Sequence, residues 1–310
     1  MKTLEEHNSA RHRLGNDGAE LPKGVLDIRA LPDTSFQEMW ESIILDPALK
    51  SRLLCQAILN FTLRPKLKRS RLPLHGIILL VGPPGTGKTS LARGLATVTA
   101  KSLKGKTFQY LEIEPHALAS ASLGKSQQAV KHLLGSVIPE YAQNPLIVVL
   151  DEVETLATDR AKLSLEANPV DVHRATDAVL AQLDQLAETH PELLFIATSN
   201  YPKAIDEAFI SRADLVLPIG LPGLEACEKI IQDTLSILGE HFHKLSSLVR
   251  DPALKKAAHL AVGMDGRRIR KALFSAFTLD KEIALEPNRL TMAEVISALQ
   301  AAQQRLMGEK

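Results

Sequence analysis

The chain has 310 residues, 45% hydrophobic and 24% charged, which excludes a wholly disordered or collagen-like polymer and suits one large domain plus a smaller one. Lys and Arg together number 37 against 36 for Asp and Glu, so the net charge of +1 offers no global cationic excess of the kind that drives polyanion binding. Apolar runs such as Ile77–Val81 and Leu146–Leu150 fall far short of the ~20 residues of a membrane span, and the start MKTLEEHNSARHR has no apolar signal core. Cys55 and Cys227 are far apart and lack metal spacing, and His241 and His243 read as surface groups. These features predict a soluble, cytoplasmic protein with reduced thiols.

Residues 1–35 are polar and punctuated by Gly15, Gly18, Pro22, Gly24 and Pro32; they read as a mobile arm with one short extended piece at 24–28. Phe36, Met39, Trp40, Ile43 and Ile44 then recur at helical spacing, and Asp46-Pro47 supplies an N-cap and first-turn proline for the next helix. After Pro73 short apolar runs at 76–81, 107–113, 145–150, 193–198 and 214–218 alternate with helical stretches near 88–100, 126–139, 152–188 and 203–210. Continuously apolar strands separated by helices predict an α/β fold with a five-stranded parallel sheet covered on both faces. Beyond Pro222 only helices follow: Asp251-Pro252 opens one, Gly263 closes it, and the capping box Thr291-Met292-Ala293-Glu294 opens the last. The expected division is an α/β domain over 36–220 and a smaller all-helical domain over 221–310.

Gly82-Pro83-Pro84-Gly85-Thr86-Gly87-Lys88-Thr89 fits GxxxxGK[ST], after an apolar strand and before a helix. Glycines let the backbone wrap phosphates, and amides at a helix N-terminus favour anions. Gly82 through Ser90 are therefore the expected nucleotide contacts, with Lys88 reaching the β- and γ-phosphates and Thr89 holding Mg²⁺. ATP or GTP is the implied ligand.

Leu146-Ile147-Val148-Val149-Leu150 ends in Asp151-Glu152. Ligands of open α/β sheets lie at the carboxyl ends of strands, so Asp151 is expected at Mg²⁺ and Glu152 as the base that activates water. Two acids capping the following helix are the plainer alternative. The next strand ends Ala197-Thr198-Ser199-Asn200, placing Asn200 to touch γ-phosphate and lytic water, or merely to turn the chain before Pro202. Arg212 closes a short helix just before the fifth strand; it is either a dipole partner or an arginine finger for a neighbouring subunit's nucleotide.

This series, followed by a helical lid carrying Gly263-Met264-Asp265-Gly266-Arg267-Arg268-Ile269-Arg270-Lys271, resembles an AAA+ ATPase, in which Arg267 matches the lid arginine that reaches back to the nucleotide. Met39 to Asp46, Gly82 to Leu91, Leu150 to Leu156, Ala178 to Gln185, Ser211-Arg212-Ala213-Asp214 and Gly266-Arg267 resemble the pachytene-checkpoint AAA+ ATPases, remodellers of HORMA-domain proteins, over about residues 36 to 308. The resemblance implies a hexameric ring with ATP and Mg²⁺ at subunit interfaces, pulling on a HORMA-domain client and dissociating it from its partner. It aligns the pore loop with Ser122, Leu123 and Gly124, although an aromatic is usual where Ser122 stands. The short segment before residue 36 resembles bacterial members, which act beside HORMA proteins and cGAS-like nucleotidyltransferases in anti-phage signalling. Two other readings compete. Arg64, Lys66, Lys68, Arg69 and Arg71 suggest a DNA-handling loader, or simply a solvated connector. A nucleotide-gated scaffold without turnover has no need of Glu152, Asn200 and Arg212 together.

Overall fold

The computed structural model describes residues 21–114, 125–157 and 169–308. Ser122, Leu123 and Gly124 lie outside them. Six strands form one sheet: β1 (Val25–Leu31), β2 (Ile77–Val81), β3 (Phe108–Ile113), β4 (Leu146–Leu150), β5 (Leu193–Ser199) and β6 (Leu215–Pro218). Their spatial order is β1-β3-β4-β5-β2-β6. Strands β3, β4, β5 and β2 are mutually parallel. The central strands bury every side chain of LIVVL and LLFIATS, as expected of strands covered on both faces.

The sheet corrects one expectation. It has six strands rather than five, because the segment assigned to a mobile arm supplies β1, paired antiparallel to β3 with Leu31 opposite Phe108 and Ile28 opposite Leu111. Its burial alternates weakly, with only Val25 and Leu31 buried, so the sequence carries little of the period-two signal that marks an edge strand.

Helices fill the connections: α1 (Thr34–Ser42), α2 (Pro47–Thr62), α3 (Lys88–Ser102), α4 (Lys125–His132), α5 (Pro169–Thr189) and α6 (Glu207–Ile210). Asp46 caps α2 by accepting from the Ala48 amide at 2.8 Å. A π-turn over Leu133–Val137 follows α4. After β6 come α7 (Leu224–His241), α8 (Leu254–Ala261), α9 (Gly266–Ala276), α10 (Lys281–Leu285) and α11 (Met292–Gly308). The Thr291–Glu294 capping box is formed: the Thr291 amide donates to Glu294 Oε2 at 2.9 Å, and Ala293 donates to Thr291 Oγ1 at 3.2 Å.

The chain makes two compact units. One comprises the described residues up to Trp40, Arg52–Val81 and Ala92–Leu217; the other comprises Glu41–Ser51, Gly82–Leu91 and the chain from Pro218 onward. The second unit thus joins the chain from Pro218 onward to two earlier segments. Its core is Ile231, Leu235, Ala258, Ile269, Leu273, Val295 and Leu299, and Ile44 from the first of those segments packs against it. The core of the sheet unit runs through Leu79, Leu111, Val148, Phe195, Val179 and Leu183. Among the described residues no helix is long and apolar enough to cross a membrane.

Candidate functional site

The loop Gly82–Thr89 leaves β2 and runs straight into α3, whose first residue is Lys88. Gly85 (φ +81°) and Gly87 (φ +87°) hold left-handed backbone that only glycine takes without strain. A Cβ at Gly85 would overlap the Asp265 carboxylate, and one at Gly87 would overlap the Ile43 side chain. The glycines therefore let three segments of this unit close around one space. Lys88 is buried and donates through Nζ to the carbonyls of Gly82 (2.9 Å) and Pro83 (2.8 Å), so its ammonium sits inside the loop.

That space is a cavity of about 530 Å³, within the usual range for a small-ligand site. Its lining includes the apolar side chains of Ile43, Leu45 and Ile230, of the kind a base packs on, and Gly85, Gly87 and Arg267, of the kind phosphates meet. Gly85, Thr86, Gly87 and Ser90 of the expected nucleotide set line it, as does Arg267. The lid helix α9 is capped by Asp265, which accepts from the Arg268 amide at 2.9 Å. Arg270 donates to Ser42 O at 3.1 Å, a tether that motif reading missed. Ile43 and Leu45 were missed as lining too: Ile43 falls in a helical spacing that reads as ordinary core, and Leu45 lies outside that spacing.

In the sheet unit the carboxyl ends of β2, β5 and β4 lie side by side, with Val81 opposite Ser199 and Leu150 opposite Ala197. Here the structure brings Asp151, Glu152 and Asn200 together. Thr198, fully buried on β5, donates its hydroxyl to Asp151 Oδ1 and accepts from the Glu152 amide at 3.2 Å. Glu152 has φ 51° and ψ 53°, left-handed values that cost a non-glycine residue on the order of 1–2 kcal/mol. Its carbonyl accepts from the Thr155 amide (3.0 Å) and hydroxyl (2.9 Å), which holds the backbone in that state. Asn200 donates Nδ2 to Glu152 Oε1 at 3.1 Å, while its own amide donates to Glu154 Oε1 at 3.1 Å. The two acids thus do not simply cap the following helix; one carboxylate is fixed by a threonine and the other by an asparagine. Thr198 gave no signal of its own in the sequence, standing beside Ser199 at the polar end of an apolar strand.

Arg212 is bound within its own chain. Nε and Nη2 grip Asp184 of α5 at 3.1 and 2.8 Å, and Nη1 donates to Ala208 O at 2.7 Å. Asp184 also accepts from Arg69 at 2.9 Å and faces His75 Nε2 at 3.0 Å. The hydrogen bonds from Arg212 are the main cause that holds the Asp184 carboxyl below its usual range. Burial, reinforced by Arg69, lowers the His75 proton affinity.

The basic run before β2 is not a uniformly solvated connector. Arg64 is buried and donates to Leu193 O (2.7 Å), Ala187 O (3.1 Å) and Asn60 Oδ1 (3.2 Å), and its burial pushes its pKa down to about 10. Arg69 is engaged at Asp184. Two of the five cations are thereby committed inside the fold. Among the described residues, no three His, Cys, Asp or Glu side chains cluster to hold a metal by themselves. Thr89 and Asp151 carry oxygen donors, the kind a hard ion such as Mg²⁺ takes beside those of phosphate and water.

A family model, the ATPase family associated with various cellular activities (AAA), matches residues 78–221. The chain is 55% identical to CD-NTase-associated protein 6 of Pseudomonas aeruginosa, over 94% of this chain and 97% of that protein. It is 33% identical to a pachytene checkpoint protein 2 homolog of Oryza sativa subsp. indica over 80% of this chain, and spans 59% of that protein's length. Among solved structures, C. elegans PCH-2 superposes with a TM-score of 0.73 at 25% identity, covering 93% of this chain and 78% of that one. A chain of the E. coli MS115-1 HORMA:CdnC:Trip13 complex superposes at 0.67 with 17% identity, covering 88% and 94%, which supports the fold. Fold and phosphate loop together define a nucleotide-binding AAA protein. Within that class the chain belongs to the family of CD-NTase-associated protein 6 and the pachytene checkpoint protein 2 homologs.

Proposed function

We propose that this protein is an ATP-driven, ring-shaped remodeller that pulls on a HORMA-domain protein and dissociates it from a cGAS-like nucleotidyltransferase, ending that enzyme's signalling. The client assignment rests on relatives. The chain aligns almost end to end with a protein named for its association with a CD-NTase. A chain of its fold stands in a HORMA:CdnC:Trip13 complex. The hexamer, too, is taken from the family resemblance.

The chemistry rests on this chain's own residues. Amides of Gly85 to Thr89 and the Lys88 ammonium bind the phosphates of ATP, and Thr89 and Asp151 would hold Mg²⁺. That ion, when bound, supplies charge neutralisation at the β- and γ-phosphates. Glu152 takes a proton from the attacking water, Asn200 orients the Glu152 carboxylate, and Arg267 contacts the phosphates from the lid. Arg212, lent from the adjacent subunit, stabilises transferring charge; such fingers contribute about 10³–10⁵ in rate. The observation that carries turnover over mere binding is Glu152, held in a strained backbone state with its carboxylate on Asn200. A scaffold that only binds nucleotide gains nothing from that strain.

The test is Glu152→Gln. The variant should bind ATP with near-normal affinity, release phosphate at least about 10²-fold more slowly, and stay bound to a HORMA-domain protein in a pull-down with ATP. Rapid phosphate release by the variant would remove Glu152 as the base; slow release without client retention would remove the HORMA assignment while sparing the ATPase.

A further inference from the structure

The Arg212 side chain is mounted from two directions. Asp214, two residues on, accepts from the amides of His75 (2.9 Å) and Gly76 (2.6 Å), which pins the backbone behind Arg212 to the start of β2. Asp184 takes the guanidinium by its Nε–Nη2 edge, and Ala208 O takes one Nη1 hydrogen. Of the five N–H groups of an arginine, three are thereby engaged. One on Nη1 and one on Nη2 remain, and the side chain is 22% exposed.

An aspartate on an arginine ordinarily cancels the charge that a phosphate needs. Here Arg69 shares the same Asp184 oxygen that receives Arg212 Nε. His75, the third group on that carboxylate, is disfavoured as a cation by burial and by Arg69. Two guanidinium charges thus share the one Asp184 carboxylate; the other acids nearby are Glu188, exposed and 3.8 Å from Arg69 Nη1, and Asp214, whose oxygens accept backbone amides. The same bidentate grip that fixes the guanidinium plane therefore does not silence it.

We propose that Asp184 is the positioning residue of Arg212: it orients the guanidinium so that the remaining Nη hydrogens are presented to phosphoryl oxygens of a nucleotide held by a neighbouring copy, and Arg69 is the counter-charge that lets Arg212 stay electropositive. This inference rests on the reading of Arg212 as a trans-acting group. Neither the Arg69 run nor the α5 residue was assigned such a role by motif.

The experiment compares Asp184→Asn with Arg212→Ala in steady-state ATP hydrolysis, with nucleotide affinity and melting temperature measured on the same preparations. Asp184→Asn keeps the side-chain shape and removes the charge. It should lower kcat by about 10- to 100-fold while KM for ATP stays within about twofold, the signature of a misplaced group rather than lost binding. Adding it to Arg212→Ala should cause no further loss, because both act through one guanidinium. In mixed oligomers, Asp184→Asn subunits should regain turnover with Lys88→Ala subunits, which still lend an intact Arg212, and none with Arg212→Ala subunits. Should Asp184→Asn melt below the assay temperature, Asp184→Glu, which keeps the charge but displaces the guanidinium, should lie between wild type and Arg212→Ala in kcat. Wild-type kcat in the folded Asn variant, or in the Glu variant if that is the one used, overturns the positioning role. So does additivity with Arg212→Ala. If instead Arg212→Ala hydrolyses ATP normally, or fails to complement Lys88→Ala, it is the trans-acting reading that falls, and Asp184 falls with it.

Discussion

One hydroxyl touches both acidic residues at the end of β4. Thr198 bridges Asp151 and the Glu152 amide from the neighbouring strand, so it is the residue whose loss should misalign both acids with least disturbance of packing. Thr198→Val keeps the branched shape and removes the hydroxyl. It should lower kcat for ATP by about 10- to 100-fold with nucleotide affinity unchanged, and Thr198→Ser should restore most of the rate; normal hydrolysis by the valine variant would show that Asp151 and Glu152 need no bridge. His75 gives a second prediction at this scale. Its proton affinity is lowered in the fold by burial and by Arg69, against the opposing pull of Asp184 and Asp214. The unfolded chain then binds more protons below the ordinary histidine value of about 6.5, so stability should fall as pH drops from about 7 towards 5. Melting temperatures across that window should decline less steeply in His75→Gln, and parallel curves would assign the titration elsewhere.

At the scale of elements, the parallel strands and the phosphate loop were legible because their signals are local. An apolar run, a glycine spacing and the two acids at Asp151 and Glu152 each read out within ten residues. The edge strand β1 was legible only as a short extended piece at 24–28; its place in the sheet was not, since its pairing with β3 depends on a partner some eighty residues away and its own burial is slight. Arg64 was misjudged for a related reason: a cation at the head of a basic run, next to Pro65, reads as solvated, and only the fold reveals the carbonyls of Leu193 and Ala187 that it meets. Truncating it takes the Arg64 donor from Ala187 O and leaves Leu193 O with the longer bond from Asn60 Nδ2 at 3.3 Å. Arg64→Ala should therefore cost about 2–4 kcal/mol of stability, measured by urea denaturation, while surface cations such as Lys66 and Lys68 should tolerate alanine within about 0.5 kcal/mol. Equal tolerance at all three positions would contradict the structural role assigned to Arg64.

For the whole molecule, the division into two units follows residues more than sequence position. The segment 41–51 and the phosphate loop group with the C-terminal helices because Ile44 packs on the lid core and Gly85 makes room for Asp265. A ligand in the cavity of that unit would touch both the loop and the lid helix α9. Gly85→Ala should disable this arrangement at its root, since the added methyl meets Asp265 in a backbone state that alanine disfavours. ATP affinity should drop by at least about tenfold with the sheet unit still folded by circular dichroism, and unchanged affinity would separate the loop from the lid.

The central claim, that ATP turnover by this chain takes a HORMA complex apart, is tested most directly by following a fluorescently labelled HORMA-domain protein bound to its cGAS-like nucleotidyltransferase after mixing with the protein and Mg·ATP. Dissociation should proceed over many turnovers with the wild-type chain and stall with Glu152→Gln or with ADP. A complex that stays intact while wild-type protein hydrolyses ATP beside it would contradict the account.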